Sequence, residues 1–180
     1  MPSVFISPST QEFNPYVDGG NEEYYMNLIA DELIPYLEAS GITVNRNNPD
    51  ESLSRAIALS NQGNYDLHLA LHSNAAPPNL AGKLRGTDVY YYPTSSRGKA
   101  AAEIIASNFK AIYPDPNLVR TVSSTSLAEL KRTKAPAVLI EIAYHDNPQD
   151  AQWIRDNIGE IAKNLALSVT EFLGVPFKEP

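Results

Sequence analysis

Along the chain, short apolar runs alternate with stretches in which apolar residues recur at helical spacing. SVFIS at 3–7 is a β-rich run ended by Pro8 and Ser9, which predicts a buried strand feeding a loop. Asn21 then caps a predicted helix with Glu22 and Glu23 in its first turn. Its core face is Met26, Ile29, Ala30, Leu33 and Leu37; Gly41 closes it, and Pro35 is expected to kink it. ITVNR at 42–46 predicts a second strand and 51–62 a second helix. YDLHLALH and GTDVYYY at 86–92 predict two more strands, and 97–113 a helix stopped by PDP. APAVLIEIAY at 135–144 is nearly continuous in apolar residues, the signature of a central strand covered on both faces. Helices from about 148 and 159 finish the pattern.

This alternation predicts an α/β fold: a twisted, mostly parallel sheet of about six strands sandwiched between helices, in one domain spanning 1–180. In such sheets working residues gather at the loop ends of the strands.

Composition narrows the function. A net charge of -7 with scattered basic residues argues against nucleic-acid binding, which draws on clustered Lys and Arg. The absence of cysteine excludes disulfides, thiolate zinc sites and thiol nucleophiles. No apolar run reaches membrane-spanning length and the first residues lack a signal-peptide pattern. The expected location is the cytoplasm until release, or the cell wall and exterior if a signal has been removed. GxSxG, Walker and GxGxxG patterns are absent, so serine-acyl, nucleotide and dinucleotide chemistry lack support.

Three residues carry candidate chemistry. His72 ends its strand beside Ser73 and Asn74, where an imidazole faces a cleft. His68 shares its strand face but lies roughly 13 Å away, too far to share an ion, and reads as a packed, hydrogen-bonded histidine. Glu141 interrupts the apolar run AVLIEIAY; a carboxylate buried there needs a cation, a donor or a proton, and with a raised pKa is suited to general-base work. The alternative is a carboxylate tied to a buried Arg or to backbone donors. Glu23 fits either a ligand or a surface acid complementing a helix dipole. A His and carboxylate set around an open position is how proteins hold catalytic zinc.

These segments resemble the zinc-dependent N-acetylmuramoyl-L-alanine amidases of the type-3 family, which cleave the bond between the muramoyl lactyl group and L-alanine in peptidoglycan. The resemblance covers nearly the whole chain. It rests on VFISPSTQ, on NEEYYMNLIADEL with Glu23, Asn27 and Leu28, on YDLHLALHSNAA, on RGTDVYYY, and on APAVLIEIAYHDNPQDAQWI. It implies Zn2+ as cofactor, peptidoglycan as partner, Glu23 and His72 as ligands and Glu141 as the base activating the metal-bound water. Asn74 and Arg85 are the implied substrate contacts.

One departure stands out. The family's first ligand is a histidine in an Asp-Pro-Gly-His-Gly loop, whereas this loop reads Ser7-Pro8-Ser9-Thr10-Gln11 and no histidine precedes His68. The expected replacement is His145, in the turn after the Glu141 strand, with Gln11 or Glu12 as the other choices. The competing functions are a degenerate wall-binding or regulatory module without metal, and a metal-dependent peptidase or deacylase.

Overall fold

The computed structural model describes residues 1–180. In chain order the elements are β1 (Ser3–Pro8), α1 (Glu22–Ala39), β2 (Thr43–Arg46), α2 (Leu53–Gln62), β3 (Leu67–Asn74), β4 (Thr87–Tyr91), α3 (Ser96–Phe109), β5 (Val119–Ser123), α4 (Ala128–Lys131), β6 (Ala137–Tyr144), α5 (Pro148–Asp156) and α6 (Ile158–Leu173). The Asn21 side chain accepts from the Tyr24 N–H at the start of α1, and α1 continues through Pro35 to Ala39. β5 and α4 were not foreshadowed by the hydrophobic pattern: one is a mostly exposed edge strand, the other a single turn.

The sheet order is β2-β1-β3-β6-β4-β5. β2, β1, β3 and β6 run parallel; β4 runs antiparallel to β6, and β5 parallel to β4. This reversal brings the first residues of β4 and β5 to the edge where β3 and β6 end. The residues at that edge form the floor of the candidate site.

The two faces of the sheet differ. One packs Val4, Ile6, Leu67, Leu69, Leu71, Val89, Val138 and Ile140 against α1, α3, α5 and α6 in a core of 31 buried residues. The opposite apolar cluster has only 4, Ala70, Leu130, Ala137 and Leu139, so the rest of that face is free to carry polar groups. Side chains alternate across a strand, and this second face accordingly receives Ser7, His68, His72, Glu141, Asp88 and Arg120.

Candidate active site

At the C-terminal end of β3 a buried polar network is organised around His72. Its Nδ1 lies 3.0 Å from Oε1 of Glu22, and its Nε2 lies 2.8 Å from Oε2 of Glu129. The Glu22 Oε1 also accepts from the Ser73 N–H, and its Oε2 from the Asn14 amide. The other Glu129 oxygen accepts from the Ser7 hydroxyl at 2.5 Å and faces Nε2 of His68 at 3.0 Å. His68 is fixed in turn by Ser60 and by stacking on Phe5. Its expected packed role is what these contacts describe, with the added feature that one carboxylate joins the two histidines.

The electrostatics follow from the pairing. Burial alone would lower the His72 pKa, but hydrogen bonds to Glu129 and Glu22 outweigh it and hold the imidazolium well above its ordinary range. Burial would raise both acids; for Glu129 the bonds from His68 and His72 prevail and hold the carboxyl well below its ordinary value. For Glu22 the bond from His72 and its charge, together with Asn14 and Ser73, do the same.

Glu141 behaves in the opposite way. It sits directly beside His72 in the register of β3 and β6 and beside Asp88 in that of β6 and β4. Its Oε2 is buried and has no hydrogen-bond partner. Burial pushes its pKa up to about 7; the His72 charge pulls down, while Glu22, Asp88 and Glu129 add to the rise. A carboxyl poised near neutrality with an unengaged buried oxygen is equipped to take and return a proton.

The other expected site residues fall out unevenly. Glu22, not Glu23, is brought to His72. Glu22 lies four residues before Met26 and shares the inward stripe of α1, whereas Glu23 is turned toward Glu12 and Asp50, is only partly buried, and has its pKa raised by burial and then by those acids. The phase of the helix was the signal that separates the two. The His145 ring stacks on Tyr16 and its Nδ1 lies 2.9 Å from the Ser73 hydroxyl, with the Glu22 charge near enough to act on it. Gln11 accepts from Asn14, and Glu12 is exposed. Asn74 closes its own turn by accepting from the Ala75 N–H. Arg85 does reach the cleft wall, where its Nε contacts Asp150.

Asp150 fixes that wall. Fully buried, it accepts from the Tyr113 hydroxyl and Arg85 through Oδ1, and from the Gly86 and Tyr144 N–H groups through Oδ2. Gly86 is required there, since its φ is +121° and an added Cβ would meet the Leu118 carbonyl oxygen at 2.5 Å. Replacing Asp150 by Ala leaves several buried donors unpaired and is expected to cost about 3 kcal/mol or more, read as a lower denaturant midpoint with an unchanged slope.

A catalytic zinc takes three protein ligands and leaves a position open. Glu22 and His72 offer two atoms close enough to share an ion, but both are engaged within the chain, and no group of three His, Cys, Asp or Glu side chains is placed to hold a metal. As placed, the residues do not form a three-ligand zinc centre, and His145 makes its contacts with Tyr16 and Ser73.

The model of the N-acetylmuramoyl-L-alanine amidase family matches residues 10–171. A probable cell wall amidase, LytH, of Staphylococcus aureus is 29% identical over 140 residues, covering 76% of this chain but 44% of that protein. The chain thus spans less than half the length of the curated relatives it matches. Among solved structures, the amidase AmiC2 of Nostoc punctiforme superposes with a TM-score of 0.83 at 18% identity, covering 96% of this chain and 97% of that one. The catalytic domain of the amidase CwlV from Bacillus (Paenibacillus) polymyxa var. colistinus gives 0.83 at 20%, covering 98% and 100%. At these identities the structural likeness establishes the fold.

Proposed function

Since the chain belongs to the N-acetylmuramoyl-L-alanine amidase family, we propose that it hydrolyses the amide joining the muramoyl group to L-alanine in peptidoglycan, with Glu141 as the proton-handling group. The observation that carries this reading is the buried, unpartnered Oε2 of Glu141 beside His72 at the open end of the sheet. A degenerate site has no need for a carboxylate whose isolation costs stability.

In the proposed reaction Glu141 accepts a proton from the attacking water and returns it to the departing amine of L-alanine. Glu129 and Glu22 hold the His72 ring from its two nitrogens, so the imidazolium beside Glu141 keeps one orientation. The same charge favours the ionised form of Glu141 that a base requires. Peptidoglycan as substrate rests on the family.

The family is generally zinc-dependent. Zinc on this chain is a proposal resting on that membership and on the Glu22 and His72 pair, and Glu22 takes the place that the sequence resemblance gave to Glu23. Two ligands imply a weak site: zinc is expected to fall well below one ion per chain on dialysis, to approach one only in excess metal, and to be lost in His72→Ala. Tight stoichiometric zinc in the dialysed protein would mean that a third group of the chain ligates the ion.

The absent third ligand favours one other reading, a wall-binding module without turnover. It predicts sedimentation with purified walls and no release of amino groups at any zinc concentration. No helix is long and apolar enough to cross a membrane.

A further inference from the structure

The registers of four neighbouring strands align His72, Glu141, Asp88 and Arg120 in one row across the sheet, on a single face. Beyond Glu141 this row ends in a cavity of about 260 Å³ lined by Leu84, Arg85, Asp88, Leu118, Arg120 and Tyr144. A register shift between β3 and β6, one residue longer on β6 between Glu141 and Tyr144, turns the Tyr144 ring to the same face as Glu141. The cavity therefore adjoins Glu141 through Asp88, its register partner.

Two guanidinium groups meet there, each anchored by part of its donor set. Arg120 gives Nε and Nη2 to the Asp88 carboxylate, at 3.0 and 2.8 Å, and Arg85 gives Nε to Asp150. Nη1 of Arg120 has no partner within the chain, while the Arg85 guanidinium also lies beside the Tyr113 hydroxyl. The anchoring acids are buried and fix the arginines, both of which line the cavity and keep part of their side chains exposed. Planar donors fixed in this way suit a carboxylate better than a lysine would.

We propose that Arg120 and Arg85 form a subsite for a carboxylate of an acidic peptide substrate, with Tyr144 and Leu118 packing its aliphatic part. Two strand spacings separate Glu141 from Arg120, about 10 Å. An extended peptide advances roughly 3.4 Å per residue, so the recognised carboxylate lies about three residues beyond the scissile amide. The subsite thereby selects peptides bearing the acid at that position over their amidated forms. This inference rests on the amide-hydrolase reading for the direction of the peptide, but its binding chemistry is tested without turnover.

The test measures calorimetric binding of synthetic N-acyl-L-alanyl peptides that carry one carboxylate two, three or four residues past the scissile amide, each paired with its amidated form. Binding is read on Glu141→Gln and on the same protein with Arg120→Gln, Arg85→Gln or Arg120→Lys added. Tenfold or greater preference for the acid at one position is expected, lost in both Gln variants and only partly restored by Lys, while the amidated peptides bind all proteins alike. Arg120→Lys keeps a cation against Asp88, so its result holds even where Arg120→Gln fails to fold. Equal binding of acid and amide, or a loss in the Arg variants that is the same for both, would overturn the subsite. Selective binding of acids that wild type never cleaves would leave the subsite standing and remove the hydrolase; cleavage of acids and amides with equal KM would do the reverse.

Discussion

Glu141→Gln is expected to lose activity on peptidoglycan by two to four orders of magnitude and yet be more stable than wild type at pH 8. The first effect is the loss of a general base, which contributes roughly 10²–10⁴ in rate. The second follows from the raised pKa. Between the ordinary carboxyl value of 4.5 and about 7 the unfolded chain releases the Glu141 proton while the folded chain keeps it. Wild-type stability therefore falls as pH rises through that interval and levels off above it. The 4.5 to about 7 shift corresponds to on the order of 3 kcal/mol, an upper figure because the residue keeps some contact with solvent. Glutamine stays neutral, so its advantage should be absent near pH 4.5 and fully present at pH 8. Denaturant titrations at the two pH values read it directly. A variant that is less stable than wild type at pH 8 would mean that the Glu141 carboxylate has a partner after all.

Removing Glu129 should do the opposite. Glu129→Ala leaves His72, His68 and the Ser7 hydroxyl without their shared acceptor, and breaking a buried charge pair from one side costs about 3–5 kcal/mol. Glu129→Gln retains the volume and should cost less. The depressed Glu129 pKa adds stability that is present above the ordinary carboxyl value of 4.5 and lost as pH falls below it. The raised His72 pKa adds stability that is complete below 6.5 and is lost progressively as pH rises from there through its elevated folded value. The network is accordingly strongest between about pH 4.5 and 6.5, and acid unfolding of Glu129→Ala should be shallower than that of wild type. In ¹⁵N spectra the His72 ring should lose its doubly protonated signature at neutral pH. An unchanged His72 spectrum in Glu129→Ala would show that the bridge does not set the ring's state.

The parts of the molecule that were legible in the sequence are those with strong periodicity. The runs around Ile6, Leu69 and Ile140 show their strands because both faces are buried, and the Met26 to Leu37 stripe shows α1 because it meets the core at every turn. β5 escaped because its side chains are mostly exposed and its pairing is set by β4 alone. In the site, Glu141 was legible as a charge inside an apolar run and His72 as a strand-end histidine. Glu22 was legible in principle, since it is in phase with Met26, but the neighbouring Glu23 matched the motif spacing and masked it. Glu129 was not legible: nothing in SLAELK shows that its carboxylate turns inward, because its partners come from Ser7, His68 and His72, far away in the chain. The Arg120 row depends on strand registers that no single segment contains.

The most direct test of the account is the release of free amino groups from purified peptidoglycan by the wild-type protein, in excess zinc, from pH 5 to pH 9. With Glu141 as base, release should rise through about pH 7 and be lower in Glu141→Gln by two to four orders of magnitude at neutral and alkaline pH. Release that is independent of pH across this range, or equal in the variant, would take the base role from Glu141. No release at all from wild type would contradict hydrolysis and leave a wall-binding module.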